Sequence, residues 1–352
     1  MQTQPAIPKL FAVFPGQGSQ HVGMGKDLYE NFSTAREVFE EASDAIHVNL
    51  KKLCFDGPES DLILTENTQP CLLTSSVAAF RVAEKEYGFR PSAVAGHSLG
   101  EYSALVSIRC LELGAAVQWV RERGAAMQKA VPSGEGSMAA IIGLEDAQVK
   151  HLCELTTQST LEKRKINPPS LSVPAIVEPA NFNSQGQVVI AGSADAVTEA
   201  IALLKSREEF KSGKAIPLSV SAPFHCQLMR PARDRMAELF SKAEPHHRPK
   251  ALVAPYVSNR TGRLTHESSL VFEFLIEQVD HPVLWKQSVE SLLHAEYAHS
   301  VEFGPGKVLS GLIKRISTQA SKTCSLTAVS DTASIKNLSK TLEIATQTLS
   351  VS

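Results

Sequence analysis

Apolar residues along this chain fall into two alternating textures, short unbroken runs that stop at glycine or proline and longer stretches at three-to-four spacing. Residues 10–14 form an unbroken run ending at Pro15-Gly16-Gln17-Gly18, a strand followed by a tight turn. Residues 28–46 have helical spacing, and residues 65–87 read as a longer helix starting near a Thr65/Asn67 cap. Residues 93–95 are a buried strand and 99–108 the helix after it. Residues 113–131 carry an apolar stripe of Leu113, Val117, Val120, Met127 and Val131. Strands alternating with helices in this way imply a parallel sheet with helices on its faces.

The texture changes after Pro132. Residues 137–142, 187–191 and 214–220 read as strands, with helices over 146–155 and 194–204. That predicts a small α+β unit inserted in the larger one, dividing the chain into a core of 1–133 with 217–352 and a subdomain of 134–216. Within it, residues 156–174 are polar, basic and proline-containing (Lys163-Arg164-Lys165, Pro168-Pro169). They read as a solvated surface loop, with a docking patch as the alternative. The α/β texture then resumes with helices over 226–240, 272–278, 285–293 and 308–316 and strands over 252–257 and 299–302. The tail reads as a strand over 326–329 and a helix over 334–346, and no internal repeat is found.

Composition narrows the classes. Of the 352 residues 43% are hydrophobic and 20% charged, as in an ordinary globular protein. A net charge of −2 gives no basic excess for nucleic acid. The six cysteines (Cys54, Cys71, Cys110, Cys153, Cys226 and Cys324) are scattered without a C-x-x-C pair, which argues against a zinc site or disulfide framework and suits a reducing cytosol. The amino terminus lacks a secretory pattern, and no run reaches the roughly 18 apolar residues of a membrane span. The expected protein is soluble, cytoplasmic and monomeric, with no nucleic-acid or membrane partner.

Chemistry is concentrated at Val94-Ala95-Gly96-His97-Ser98-Leu99-Gly100-Glu101-Tyr102. Glycines on both sides of a serine, where an apolar strand runs into a helix, read as a nucleophile elbow with Ser98 Oγ exposed above a sheet edge. The helix that follows offers the Leu99 N–H and a positive dipole end, both suited to a forming oxyanion. His225 lies between a strand and a helix, placing it in a loop beside the sheet edge, and no acid is evident to orient it. Arg121 and Arg123 fall on opposite borders of the 113–131 stripe, so periodicity does not choose between them. Asn181 and Asn183 precede the last strand of the small unit, either facing a cleft or forming a turn. His246-His247 reads as a solvated loop, since a metal would need further ligands. Glycines 16, 18, 23 and 25 do not make a dinucleotide fingerprint, because His21 stands where one is required.

Four ordered motifs then point to a family. Phe14-Pro15-Gly16-Gln17-Gly18-Ser19-Gln20, Gly96-His97-Ser98-Leu99-Gly100-Glu101, Phe224-His225 and Glu302-Phe303-Gly304-Pro305-Gly306 together resemble the malonyl-CoA:acyl-carrier-protein transacylases, acyltransferases of fatty acid and polyketide synthesis. The resemblance runs from about Leu10 to about Ile316. It implies an α/β-hydrolase-like core with a small ferredoxin-like subdomain. It also implies a ping-pong transfer of malonyl from malonyl-CoA to acyl carrier protein through Ser98, with His225 as base and no metal or other cofactor. Gln278 matches the glutamine whose region supplies a main-chain carbonyl to the histidine. Gln17 and Leu99 are implied as the oxyanion donors, Arg123 as the fork for the malonyl carboxylate, and Phe224 as the bulky aromatic that accompanies malonyl. The 156–174 stretch departs from the family by its length. The rival readings are a free-standing polyketide acyltransferase with another carrier, a serine thioesterase or esterase, and a carrier-binding regulator with a dead site.

Overall fold

The computed structural model describes residues 9–338. Among them the strands are β1 (Lys9–Phe14), β2 (Ala93–Gly96), β3 (Gly136–Ile142), β4 (Val177–Ser184), β5 (Gln187–Ser193), β6 (Lys214–Pro217), β7 (Tyr256–Val257), β8 (Leu264–Thr265), β9 (Tyr297–Phe303) and β10 (Ser325–Val329). Six of them make one sheet in the order β10-β9-β1-β2-β7-β8, parallel except for the last pair. β1 and β2 are buried on both faces, as parallel strands under helices are. Phe11, Val13, Ala93 and Ala95 pack one way, towards Trp285, Leu292 and Ile313. Ala12, Phe14 and Val94 pack the other way, where Phe14, Phe80, Phe89 and Phe303 form one aromatic cluster.

The second sheet is antiparallel in the order β4-β5-β3-β6. Its helices, Asp146–Ile166 and Ala194–Ser206, share an apolar cluster with Ile141, Val188 and Ile190. Strand, helix, two strands, helix, strand in that sheet order is the ferredoxin-like arrangement.

Several expectations are corrected. The single helix over 28–46 is two, Lys26–Asn31 and Ser33–Ile46, because Phe32 is extended between them. The expected loop over 156–174 begins only after Ile166. Thr156 and Thr160 are buried on the helix, and its basic end is neutralised in place, Lys163 pairing with Glu199 and Arg164 with Asp195. No strand was expected at β4, and Asn181 and Asn183, left open between a turn and a cleft-facing place, lie inside it. Its Pro179 is tolerated because β4 is an edge strand with a register shift between Pro179 and Asn181. The strands expected over 252–257 and 214–220 shrink to β7 and β6. Residues 332–338 are helical, and the rest of the helix expected over 334–346 lies outside the described residues.

Phe14 and Gly96 are register partners at the carboxyl ends of β1 and β2. The chain leaves these adjacent ends as the Pro15–Gln17 turn and the His97-Ser98 turn. In an open α/β sheet the crevice beyond such strand ends is where a ligand is taken.

Candidate active site

The elbow is built by two close approaches. A Cβ at Gly96 would lie 1.9 Å from the Gly100 carbonyl oxygen, and one at Gly100 would lie 2.0 Å from the Phe14 oxygen. Only glycine admits both, so the turn folds tightly onto the end of β1. Ser98 then takes φ 52°, in the left-handed region, a conformation that persists only where its surroundings enforce it. The helix Gly100–Ser107 follows.

His225 is the second strained residue, at φ 60°. Its Nε2 stands 2.7 Å from Ser98 Oγ, and its Nδ1 2.8 Å from the Gln278 main-chain oxygen. A carbonyl can only accept, so Nδ1 carries the proton and Nε2 is free to receive one. Burial pushes the imidazole down to about 3, the Arg123 charge adding to this and the hydrogen bond to the Gln278 carbonyl opposing it. His225 is therefore a neutral imidazole throughout the physiological range.

Arg123 is the arginine that turns inward. It is 1% exposed, whereas Arg121 is only part-buried and donates to the Ile46 carbonyl oxygen. Gly124 lets the helix Leu113–Lys129 close on Thr65, whose oxygen would lie 2.5 Å from a Cβ there. The guanidinium donates to Gln69 Oε1 and Gln278 Oε1, each at 2.8 Å, and to Ser98 Oγ at 3.2 Å. It also stands over the Tyr102 ring at 5.8 Å. Its Nε is buried without a partner among the described residues.

These groups open onto a cleft of about 750 Å³ lined by Gln17, Ser98, Leu99, Arg123, Asn181, Phe224 and His225. The Gln17 side chain is drawn to Thr65 Oγ1 at 3.3 Å. Neither the Gln17 N–H nor the Leu99 N–H has an acceptor among the described residues. Gln278 stands behind the histidine, fully buried. The wall beside Ser98 includes His97, which hydrogen-bonds Asn183 Oδ1 at 2.9 Å and packs on Trp285. His246 and His247 lie elsewhere, beside Glu112, whose carboxylate is already taken by Lys250 at 2.6 Å.

Sequence reading missed Gln69, Asn183 as a side-chain partner, Asn259 and Glu101 as members of this site. Glu101 stood in a quoted motif, but nothing local said that its carboxylate turns inward. Burial pushes that carboxyl up to about 7, against hydrogen bonds from Gln278 and the Asn259 N–H and the charge of Arg123.

Residues 11–349 match the family model described as the acyl transferase domain. The malonyl CoA-acyl carrier protein transacylase of Bacillus subtilis (strain 168) is 40% identical over 97% of this chain and 98% of its own length. That of Escherichia coli (strain K12) is 43% identical over 86% and 91%. FabD of Acinetobacter baumannii superposes with a TM-score of 0.85 at 39% identity, covering 97% of this chain and all of that one. A malonyl-transacylase solved in complex with its type II PKS acyl-carrier protein gives 0.84 at 39%, over 95% and 99%. With an elbow serine, a histidine on its hydroxyl and a family match over nearly its whole length, the chain belongs to the acyl transferase domain family.

Proposed function

We propose that this protein is a malonyl-CoA:acyl-carrier-protein transacylase working through a malonyl ester on Ser98. One observation carries the reading: His225 Nε2 and Arg123 reach the same atom, Ser98 Oγ, at 2.7 and 3.2 Å. A base and a buried cation thus converge on one nucleophile, which suits an acyl group that ends in a carboxylate.

Ser98 Oγ attacks the thioester carbonyl while His225 takes its proton. The Gln17 and Leu99 N–H groups receive the oxyanion. Collapse breaks the C–S bond, and the His225 imidazolium protonates the departing CoA thiolate. The carrier's pantetheine thiol then repeats the sequence in reverse, giving its proton to His225 and releasing Ser98. Thioester is exchanged for thioester, so the site supplies positioning rather than driving force. Phe224 and Asn181 line the acyl pocket. The core of 1–133 with 217–352 carries Ser98, His225, Arg123 and Gln278, and the subdomain of 134–216 contributes Asn181 to the far wall.

The malonyl relatives and the relative complexed with an acyl-carrier protein support this substrate and partner. Fatty acid synthesis is the favoured setting. Cytoplasmic residence fits a chain whose cysteines stand unpaired in the described residues, and no helix among those residues is long and apolar enough to cross a membrane.

Intact mass after brief exposure to malonyl-CoA without carrier is expected to show one added malonyl unit, cleared by holo-carrier protein, with little acetyl from acetyl-CoA. Free CoA without an adduct would mean that water is the acceptor, and the thioesterase reading would replace this one.

The histidine sets the pH dependence. A base held near 3 stays unprotonated far below the ordinary imidazole value of 6.5. The rate of Ser98 acylation by malonyl-CoA, read as the CoA burst, is expected not to halve at about 6.5 as pH falls from about 8 to about 5. A halving near 6.5 that persists in Glu101→Gln, which removes the carboxyl held near 7, would show His225 titrating as a solvated imidazole.

A further inference from the structure

Behind the Ser98–His225 pair lies a second set of polar groups that the transfer chemistry does not use. Asn259 follows β7 in a loop, and its side chain is fully buried against the elbow. Its Oδ1 accepts the Ser98 N–H at 2.6 Å, and its Nδ2 donates to the Gly96 carbonyl oxygen at 2.6 Å. One amide therefore ties both ends of the turn that holds Ser98 at φ 52°. Glu101 lies one helical turn beyond, also fully buried. A single oxygen, Oε2, accepts the Asn259 N–H at 3.1 Å and Gln278 Nε2 at 2.7 Å. The same Gln278 Nε2 reaches the Ser98 carbonyl oxygen at 3.0 Å, and Gln278 Oε1 receives Arg123. The main-chain oxygen of Gln278 is the one that holds His225.

We infer that Asn259 and Glu101 are positioning residues, a buckle that locks the elbow and Gln278 together so that Ser98, His225 and Arg123 share one rigid frame. Neither touches the reacting atoms. Asn259 holds the serine backbone in its strained turn, and Glu101 fixes the orientation of the Gln278 side-chain amide, whose Oε1 receives Arg123, on the same residue whose main-chain oxygen holds His225. Such a frame works through geometry, because small misplacements of a nucleophile are costly. The assignment of a reaction to this frame rests on the acyl-transfer reading, but the frame can be tested without it.

The probe is a fluorophosphonate, which needs only an activated serine: Ser98 Oγ attacks phosphorus, fluoride leaves and the proton passes to His225. Its labelling rate is measured beside the malonyl-CoA burst for Asn259→Ala, Glu101→Ala and Glu101→Gln. Both alanine variants are expected to lose about 10²-fold in labelling and in acylation rate, while KM for malonyl-CoA moves by less than about threefold. Glu101→Gln keeps an acceptor oxygen at the same place and is expected to recover most of both rates. A merely structural role would lower the melting temperature without this split between rate and KM.

Wild-type labelling in a folded alanine variant, or a loss confined to KM, overturns the inference. If the alanine variants do not fold, Asn259→Asp keeps the volume and the acceptor for the Ser98 N–H but sets an oxygen against the Gly96 carbonyl. Labelling by that variant at the wild-type rate overturns the inference equally. Failure of the wild type to form a malonyl adduct while the fluorophosphonate pattern holds would sink the transfer reading and leave the buckle standing.

Discussion

Replacing Ser98 by alanine is expected to abolish the malonyl adduct and to lower transfer to carrier protein by a factor on the order of 10⁴–10⁶. Alanine keeps the Cβ, so the backbone cost at φ 52° is unchanged and the elbow folds as before. What disappears is the one oxygen on which His225 and Arg123 converge. Arg123 retains Gln69 and Gln278, and His225 retains the Gln278 carbonyl, so the rest of the site stays in place. The check is intact mass after malonyl-CoA exposure, with carrier acylation followed in parallel. Transfer within tenfold of wild type would mean that the carrier thiol attacks malonyl-CoA directly in a ternary complex, and the two-step mechanism would be lost.

The legible part of this site was the part whose chemistry is local. Gly96-x-Ser98-x-Gly100 is readable because the glycines that permit the close approaches stand within two residues of the serine they serve. The helix Thr65–Tyr87 and the central strands were also readable, since continuous apolar runs and helical spacing are local properties. Asn259 and Glu101 were not, because their meaning lies in a hydrogen bond between residues 158 apart, with no pattern in either neighbourhood. β4 was missed for another reason. Pro179 and two asparagines are turn formers by propensity, and the edge position with its register shift is what tolerates the proline as strand. The helix through Ile166 hid its length in a basic end that Asp195 and Glu199, on the neighbouring helix, neutralise. Arg121 and Arg123 were equal by periodicity, and the close contact at Gly124 decided which one faces the cleft.

Arg123→Ala is expected to lower kcat/KM for malonyl-CoA about 10²–10³-fold while changing acetyl-CoA far less, so that the preference between them collapses. The argument starts from burial. A guanidinium this enclosed keeps its charge, since arginine does not deprotonate in proteins, although burial lowers its proton affinity, with Tyr102 and Glu101 opposing that shift. Neutral amides, Gln69 and Gln278, hold it without neutralising it. Its Nε–H has no acceptor among the described residues, so hydrogen-bonding capacity is left for an incoming carboxylate. In a malonyl ester on Ser98 the carboxylate sits two carbons beyond the ester oxygen. A guanidinium 3.2 Å from that oxygen is within its reach. An acetyl group offers nothing to it. Leaving one partner of a buried charge pair uncompensated costs about 3–5 kcal/mol, which sets the expected ratio. Arg123→Lys is expected to fall between, because a point charge does not reproduce the fork that reaches Gln69, Gln278 and the substrate together. Both thioesters are compared by burst kinetics at one pH. An alanine variant that still prefers malonyl about 10²-fold or more would mean that the carboxylate is read by another group, and Arg123 would be reduced to a buttress for Gln278.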